Sequence, residues 1–149
     1  MGIAYFEDIE LGEKESVGNY AVTKEDIIEF ARKYDPLPIH LDEEAAKASP
    51  HGGLIASACL TMSLSALLLN QRSKKIAIIA GGGWDDVRFP TPVRPGDTLS
   101  VDLECVERRE SKSKPDRGVV RYKIRMKNQV DEAVLTYKTT IVVSRWHDC

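Results

Sequence analysis

DPLPIHLDEEAAKASPHGGLIASACLTMSLSALLLNQ, residues 35–71, joins three unlike pieces. It opens on a proline-braced loop that holds a carboxylate, Asp35, and an imidazole, His40, five positions apart. A short segment follows with its acids first, Glu43 and Glu44, and a lysine near its end. After Gly52-Gly53 no charged residue occurs before Arg72. Leu54, Ile55, Cys59, Leu60, Met62, Leu64 and Leu67 to Leu69 leave no wide polar face. A helix that is apolar almost all round is a buried one. The pattern predicts a long main helix that opens at Gly52-Gly53 and ends at Asn70-Gln71, with Arg72, Lys74 and Lys75 suiting its C-terminal end.

Upstream, Gly18 to Val22 reads as a first short strand. Thr23 then starts a helix, with Asp26 three residues on as the second half of a capping box. Ile27, Phe30, Ala31 and Tyr34 fall on one face of it. Pro36 disfavours the helical conformation at Asp35 and ends that helix. Pro36 and Pro38 also argue against a regular helix through residues 35–40. Fully extended, that loop would part Asp35 and His40 by roughly 17 Å. For the two to work together it must curl back. Asp42 caps a second helix, Glu43 to Ala48, which Ser49-Pro50 ends.

Downstream the period changes to two. Ile76 to Ala80 is a short apolar run before Gly81-Gly82-Gly83, and Trp84 to Phe89 continues as strand. Pro95-Gly96-Asp97 marks a tight turn. Leu99, Val101, Leu103 and Cys105 alternate with polar residues, as do Val120, Tyr122, Ile124 and Met126. Such alternation places one face of an antiparallel sheet on a core and the other in water. Ala133 to Val143 is a further strand after a hairpin turn at 128–132. One long helix and a mostly antiparallel sheet require the sheet to curl around the helix, an α+β arrangement.

The 149 residues fit one domain, 1–149, with no internal repeat. A net charge of -2 with both signs mixed argues against a nucleic-acid binder. Cys59, Cys105 and Cys149 lack metal or disulfide spacing, and Cys59 and Cys105 read as core residues. The N-terminus has early acids and no apolar run, so it is no signal peptide. Ser57, Thr61, Ser63 and Ser65 dilute the one apolar stretch of membrane-spanning length. The expectation is a cytoplasmic protein with no membrane partner. His51 has no second ligand at metal spacing, so no metal site is expected. Arg72, Lys74, Lys75, Arg109, Lys112, Lys114 and Arg117 read as solvated surface charge, with a coenzyme's phosphates as their alternative partners. Trp84 and Phe89 read as core, with an acyl pocket as the alternative.

Three features converge on chemistry. Asp35 and His40 are titratable groups on a stiff loop, and the main helix presents a first turn of N–H groups without intrahelical partners. Such a terminus holds a developing oxyanion. An acid, a base and an oxyanion site together indicate proton chemistry beside a carbonyl.

The run FARKYDPLPIHLDEEAAKASPHGGLIASA, residues 30–58, resembles the MaoC-like dehydratase family, the R-specific enoyl-CoA hydratase group of hot-dog folds. Asp35, Pro38, Ile39, His40 and Ala46 match its motif, and residues 90–101 and 111–121 resemble later segments. The resemblance implies a hot-dog fold and a homodimer or dimer of dimers. It implies an acyl-CoA thioester substrate, with no cofactor beyond the coenzyme A that the substrate carries. Asp35 and His40 would activate one water that adds at C3 of a trans-2-enoyl thioester, or is lost in reverse. Gly53, Ser57 and Ala58 would form the oxyanion and substrate-binding segment. Leu37 stands where the family usually has a polar residue, which keeps open a non-catalytic acyl-thioester binding module, and a hot-dog thioesterase, in which a carboxylate drives hydrolysis, is a third reading.

Overall fold

The computed structural model describes residues 2–146, and Cys149 lies outside them. Strand β1 (Ile3–Ala4) and a single 3-10 turn (Phe6–Asp8) precede β2 (Lys14–Ala21). Four helices follow: α1 (Lys24–Tyr34), α2 (Pro38–Leu41), α3 (Glu43–Ala48) and α4 (Ala58–Leu69). The chain then runs through β3 (Lys75–Ile76), β4 (Ile78–Arg88), β5 (Thr98–Glu110), β6 (Arg117–Lys127) and β7 (Ala133–Ser144). Five strands form an antiparallel sheet in the order β2-β5-β6-β7-β4. β1 pairs in parallel with β3 apart from it.

The alternation in β5 and β6 sorts as expected. Leu99, Val101, Leu103 and Cys105 are buried, as are Val120, Tyr122, Ile124 and Met126. Leu60, Leu64 and Leu68, on one face of α4, join them in a single core. Burying each such leucine contributes roughly 2 kcal/mol. α1 begins with the reciprocal cap expected of Thr23 and Asp26, and Asp42 caps α3 through the Glu44 and Ala45 amides.

Several elements differ from the sequence expectation. β2 starts at Lys14 rather than Gly18, because its first residues pair with Glu104 to Val101 of β5. Gly18 instead marks the irregularity in that pairing: its φ is +132°, and a Cβ there would lie 3.0 Å from the Ser100 Cα. Pro36 keeps residues 35–37 out of a helix, but Pro38 opens the one-turn helix α2 that carries His40. A proline at the first helical position loses no hydrogen bond. β4 runs unbroken through Gly81-Gly82-Gly83, with one register shift inside the run, between Gly81 and Gly83, and others on either side.

The main helix is shorter and less enclosed than expected. It opens at Ala58, not at Gly52-Gly53. The Ile55 N–H donates to the Ile39 carbonyl and the Ala56 N–H to the Val93 carbonyl, so these two amides bond outside a helix, and Ser57 is the helix's N-cap. One face of α4 is exposed at Ala58, Cys59, Ser63, Ala66 and Leu67. Cys59 is therefore not a core residue, whereas Cys105 is. Trp84, on the edge strand β4, and Phe89, just past its end, are also exposed, so neither is a core residue. Arg72 departs the other way: it is buried, with its Nε 2.5 Å from Glu15 Oε2. No helix among the described residues is long and apolar enough to cross a membrane.

Candidate active site at the start of the main helix

Asp35 is the residue on which α1 stops. Its N–H still closes the last turn onto the Ala31 carbonyl, and Pro36 then turns the chain away. The Leu37 N–H donates to the Asp35 carbonyl and the His40 N–H to the Leu37 carbonyl, so the loop folds onto itself within six residues. The consequence is the curl that joint action required. His40 Nε2 lies 3.5 Å from Asp35 Oδ2.

Each side chain is fixed by a second contact. His40 is buried, and its Nδ1 lies 2.7 Å from the Ile55 carbonyl oxygen. A carbonyl only accepts, so Nδ1 carries a hydrogen, and in the neutral form of the ring the free lone pair is on Nε2, facing Asp35. Asp35 Oδ2 accepts a hydrogen bond of 2.7 Å from the Ser57 hydroxyl. Ser57 is fully buried and is also the N-cap of α4, accepting from the Cys59 N–H at 3.1 Å. The helix terminus and the carboxylate thus share one hydroxyl.

The Ala58 N–H follows at the first helical position, where no intrahelical acceptor exists. Ala58 is exposed, and the Asp35 side chain keeps about a third of its surface, 31 %. A ring nitrogen, a carboxylate and a positive helix end are therefore neighbours, with Ala58 and part of Asp35 reaching solvent. The 3.5 Å between carboxylate oxygen and ring nitrogen is the outer limit of a direct bond, and with the ring in its neutral form both atoms can accept from one shared proton donor.

The structure gathers Asp35, His40, Ser57 and Ala58 at one place. Gly53 stands apart, in the segment before the helix, where an added Cβ would make only an ordinary 3.6 Å contact with Arg94. Two features went unread in the sequence. The Ile55 carbonyl left no signal at all. The bond from Ser57 to Asp35 had a partial one, since a serine just before a helical run is a preferred N-cap.

The pattern of a MaoC like domain matches residues 10–128, most of the chain and the whole of this site. The chain belongs to the MaoC-like dehydratase family. A MaoC-like dehydratase from Rhodospirillum rubrum is 34 % identical and superposes with a TM-score of 0.88, covering 97 % of this chain and 99 % of that one. The R-hydratase PhaJ1 of Pseudomonas aeruginosa is 26 % identical at a TM-score of 0.78, over 95 % of this chain and 86 % of its own. The 3-hydroxybutyryl-CoA dehydratase of Methylorubrum extorquens is 33 % identical over 112 residues, 72 % of this chain and 67 % of that protein. The fold is the family's hot-dog fold, with α4 as its central helix against the antiparallel sheet.

Proposed function

We propose that this MaoC-like protein is an acyl-CoA hydratase/dehydratase, adding water reversibly to a trans-2-enoyl-CoA to give a 3-hydroxyacyl-CoA. The observation that carries the reading is the 3.5 Å approach of His40 Nε2 to Asp35 Oδ2 beside the start of α4. A water seated between the two donates to one and is polarised by the other. Its oxygen joins C3 of the enoyl thioester, and the proton taken up by the dyad is delivered to C2. Charge that develops on the thioester oxygen is met by the Ala58 N–H at the helix terminus. Gly53 is left with a part in substrate binding ahead of the helix. General acid–base catalysis of this kind contributes about 10²- to 10⁴-fold.

The experiment is hydration of crotonyl-CoA and of longer and branched enoyl-CoAs, with thiol release followed in parallel. The expected result is loss of hydration in Asp35→Asn and His40→Ala by at least about a hundredfold. Hydration that persists unchanged in both variants overturns the assignment. Thiol release without hydration gives the thioesterase reading instead, and tight acyl-CoA binding without either reaction gives the binding-module reading.

The same reading takes the protein as a homodimer that works in the cytoplasm and needs no cofactor. What supports the dimer is the exposed edge of β4 beside the open apolar face of α4.

A further inference from the structure

The turn at Pro95-Gly96-Asp97 ends in a carboxylate that the reaction above does not use. Asp97 is buried, 9 % exposed. Both of its oxygens accept from N–H groups, Oδ2 from the Arg94 amide at 2.9 Å and Oδ1 from the Gln129 side chain at 3.0 Å. Its own N–H closes the turn onto the Arg94 carbonyl, and its carbonyl takes the Val22 N–H just past the end of β2. The carboxylate therefore has a fixed place.

From Asp97 a line of hydrogen bonds leads to His40. The Arg94 N–H, which Asp97 holds, and the Val93 carbonyl belong to one peptide group. That carbonyl accepts from the Ala56 N–H at 2.8 Å. The Ala56 N–H and the Ile55 carbonyl belong to a second peptide group, and the Ile55 oxygen lies 2.7 Å from His40 Nδ1. A trans peptide points its N–H and its C=O in opposite directions, so each group carries the line onward. Every donor points the same way, from the imidazole towards the carboxylate.

The line crosses a segment with no regular structure of its own. Residues 54–57 lie outside any helix or strand, and Gly52, at a φ of +68°, and Gly53 precede them. Glycine loses more conformational freedom on ordering than any other residue, so this stretch depends on outside contacts to hold its shape. Arg94 grips it a second time, its Nη2 donating to the His51 carbonyl at 2.7 Å.

We propose that Asp97 is a positioning residue for His40, acting through the Val93–Arg94 and Ile55–Ala56 peptide groups. This rests on the hydratase reading for what His40 then does. Hydrogen bonds in a line polarise one another, and a charged acceptor at the end strengthens them. The Ile55 carbonyl is thereby held in place and made a better acceptor. It keeps the hydrogen on Nδ1 and leaves Nε2 free to take a proton from water. As Nε2 takes that proton the ring becomes a cation, which the carboxylate at the far end of the line favours.

The test has one readout that needs no substrate. Proton and nitrogen NMR of the His40 ring in the whole protein, at a pH where the ring is neutral, reports which nitrogen carries the hydrogen and how strongly Nδ1–H is bonded. Steady-state hydration of the enoyl-CoA series is the second readout. Asp97→Ala is expected to move the Nδ1–H resonance upfield, to raise the share of rings with the hydrogen on Nε2, and to lower kcat by about tenfold with little change in KM. Asp97→Asn combined with Gln129→Glu exchanges the two roles at the turn, keeps a partner for each group and moves the charge off the line. The same upfield shift is expected there, with a smaller fall in kcat. Gln129→Ala loosens the turn beside the line, and is expected to lower the melting temperature while leaving the ring resonances and kcat near those of wild type. An Nδ1–H resonance that stays put in both Asp97 variants, or that moves as far in Gln129→Ala, overturns the proposal and leaves the hydratase reading to the wild type's own turnover. A resonance that moves in the Asp97 variants alone, in a protein that hydrates no enoyl-CoA, removes the hydratase reading and keeps the positioning role.

Discussion

Ser57 has one proton to give, and it goes to the carboxylate. Its hydroxyl donates to Asp35 Oδ2 at 2.7 Å and accepts from the Cys59 N–H, so one atom caps a helix and aims a catalytic candidate. Hydrogen bonds to a charged group contribute about 1.5–3 kcal/mol. Ser57→Ala is expected to lower kcat for hydration by at least about tenfold with a much smaller change in KM, because Asp35 loses its orientation rather than the substrate its contacts. Loss of the cap alone costs stability by about 1 kcal/mol and leaves kcat untouched. Steady-state kinetics beside a denaturant melt separate the two, and an unchanged kcat would remove the positioning role. The pairing of Asp35 with His40 was legible in the sequence because two prolines confine the loop to few shapes. The bond from Ser57 was not, because its partner lies 22 residues away and only the tertiary fold joins them.

At the scale of elements, the helix start is the instructive difference. Leu54, Ile55 and Ala56 are buried and apolar, as a helix interior would be, yet they lie outside any helix or strand. A short apolar run has no period by which to tell the two apart. The Ile55 and Ala56 amides are claimed by Ile39 and Val93, partners far off in the chain. The strands β5 and β6 were legible because one face of each meets water. Within α4, Leu64 faces the sheet and Leu67 faces out, 5 % and 43 % exposed. Leu64→Ala is expected to cost about 2–5 kcal/mol in urea unfolding. Leu67→Ala, measured in dilute protein, is expected to cost well under half as much. Equal losses would mean that the helix is covered on both sides. On β6, Tyr122 is pushed up to about 12, chiefly by burial, with Arg72 opposing. A raised phenol keeps its proton in the folded state after the unfolded chain has released it. Stability from this group is full below pH 10.0 and is lost as pH rises towards about 12. Tyr122→Phe should flatten that alkaline fall in a pH series of melts, and a fall of the same depth in both proteins would reassign it.

The whole molecule leaves one side unfinished. Among the described residues β4 pairs only with β7, so along its eleven residues the other edge has no strand partner there. Ile78, Ile79 and Trp84 are exposed on it, at 55 %, 45 % and 59 %. Natural edges of this length are usually broken by charge or proline. Here the only charges are at the far end, Asp85, Asp86 and Arg88. Large exposed apolar surface of this kind marks an association face. A second copy meets the need on both counts, because antiparallel pairing of two β4 edges about a twofold axis closes the backbone groups and covers the isoleucines together. Sedimentation of the wild type is therefore expected to give a dimer or a dimer of dimers. Ile79→Lys places a charge at the start of the edge, among its exposed apolar residues, and is expected to shift the protein to monomer at micromolar concentration. A wild type that sediments as a monomer would defeat this reading. A variant that stays dimeric would move the interface elsewhere, with the exposed flank of α4 at Cys59, Ser63 and Leu67 as the next surface to charge.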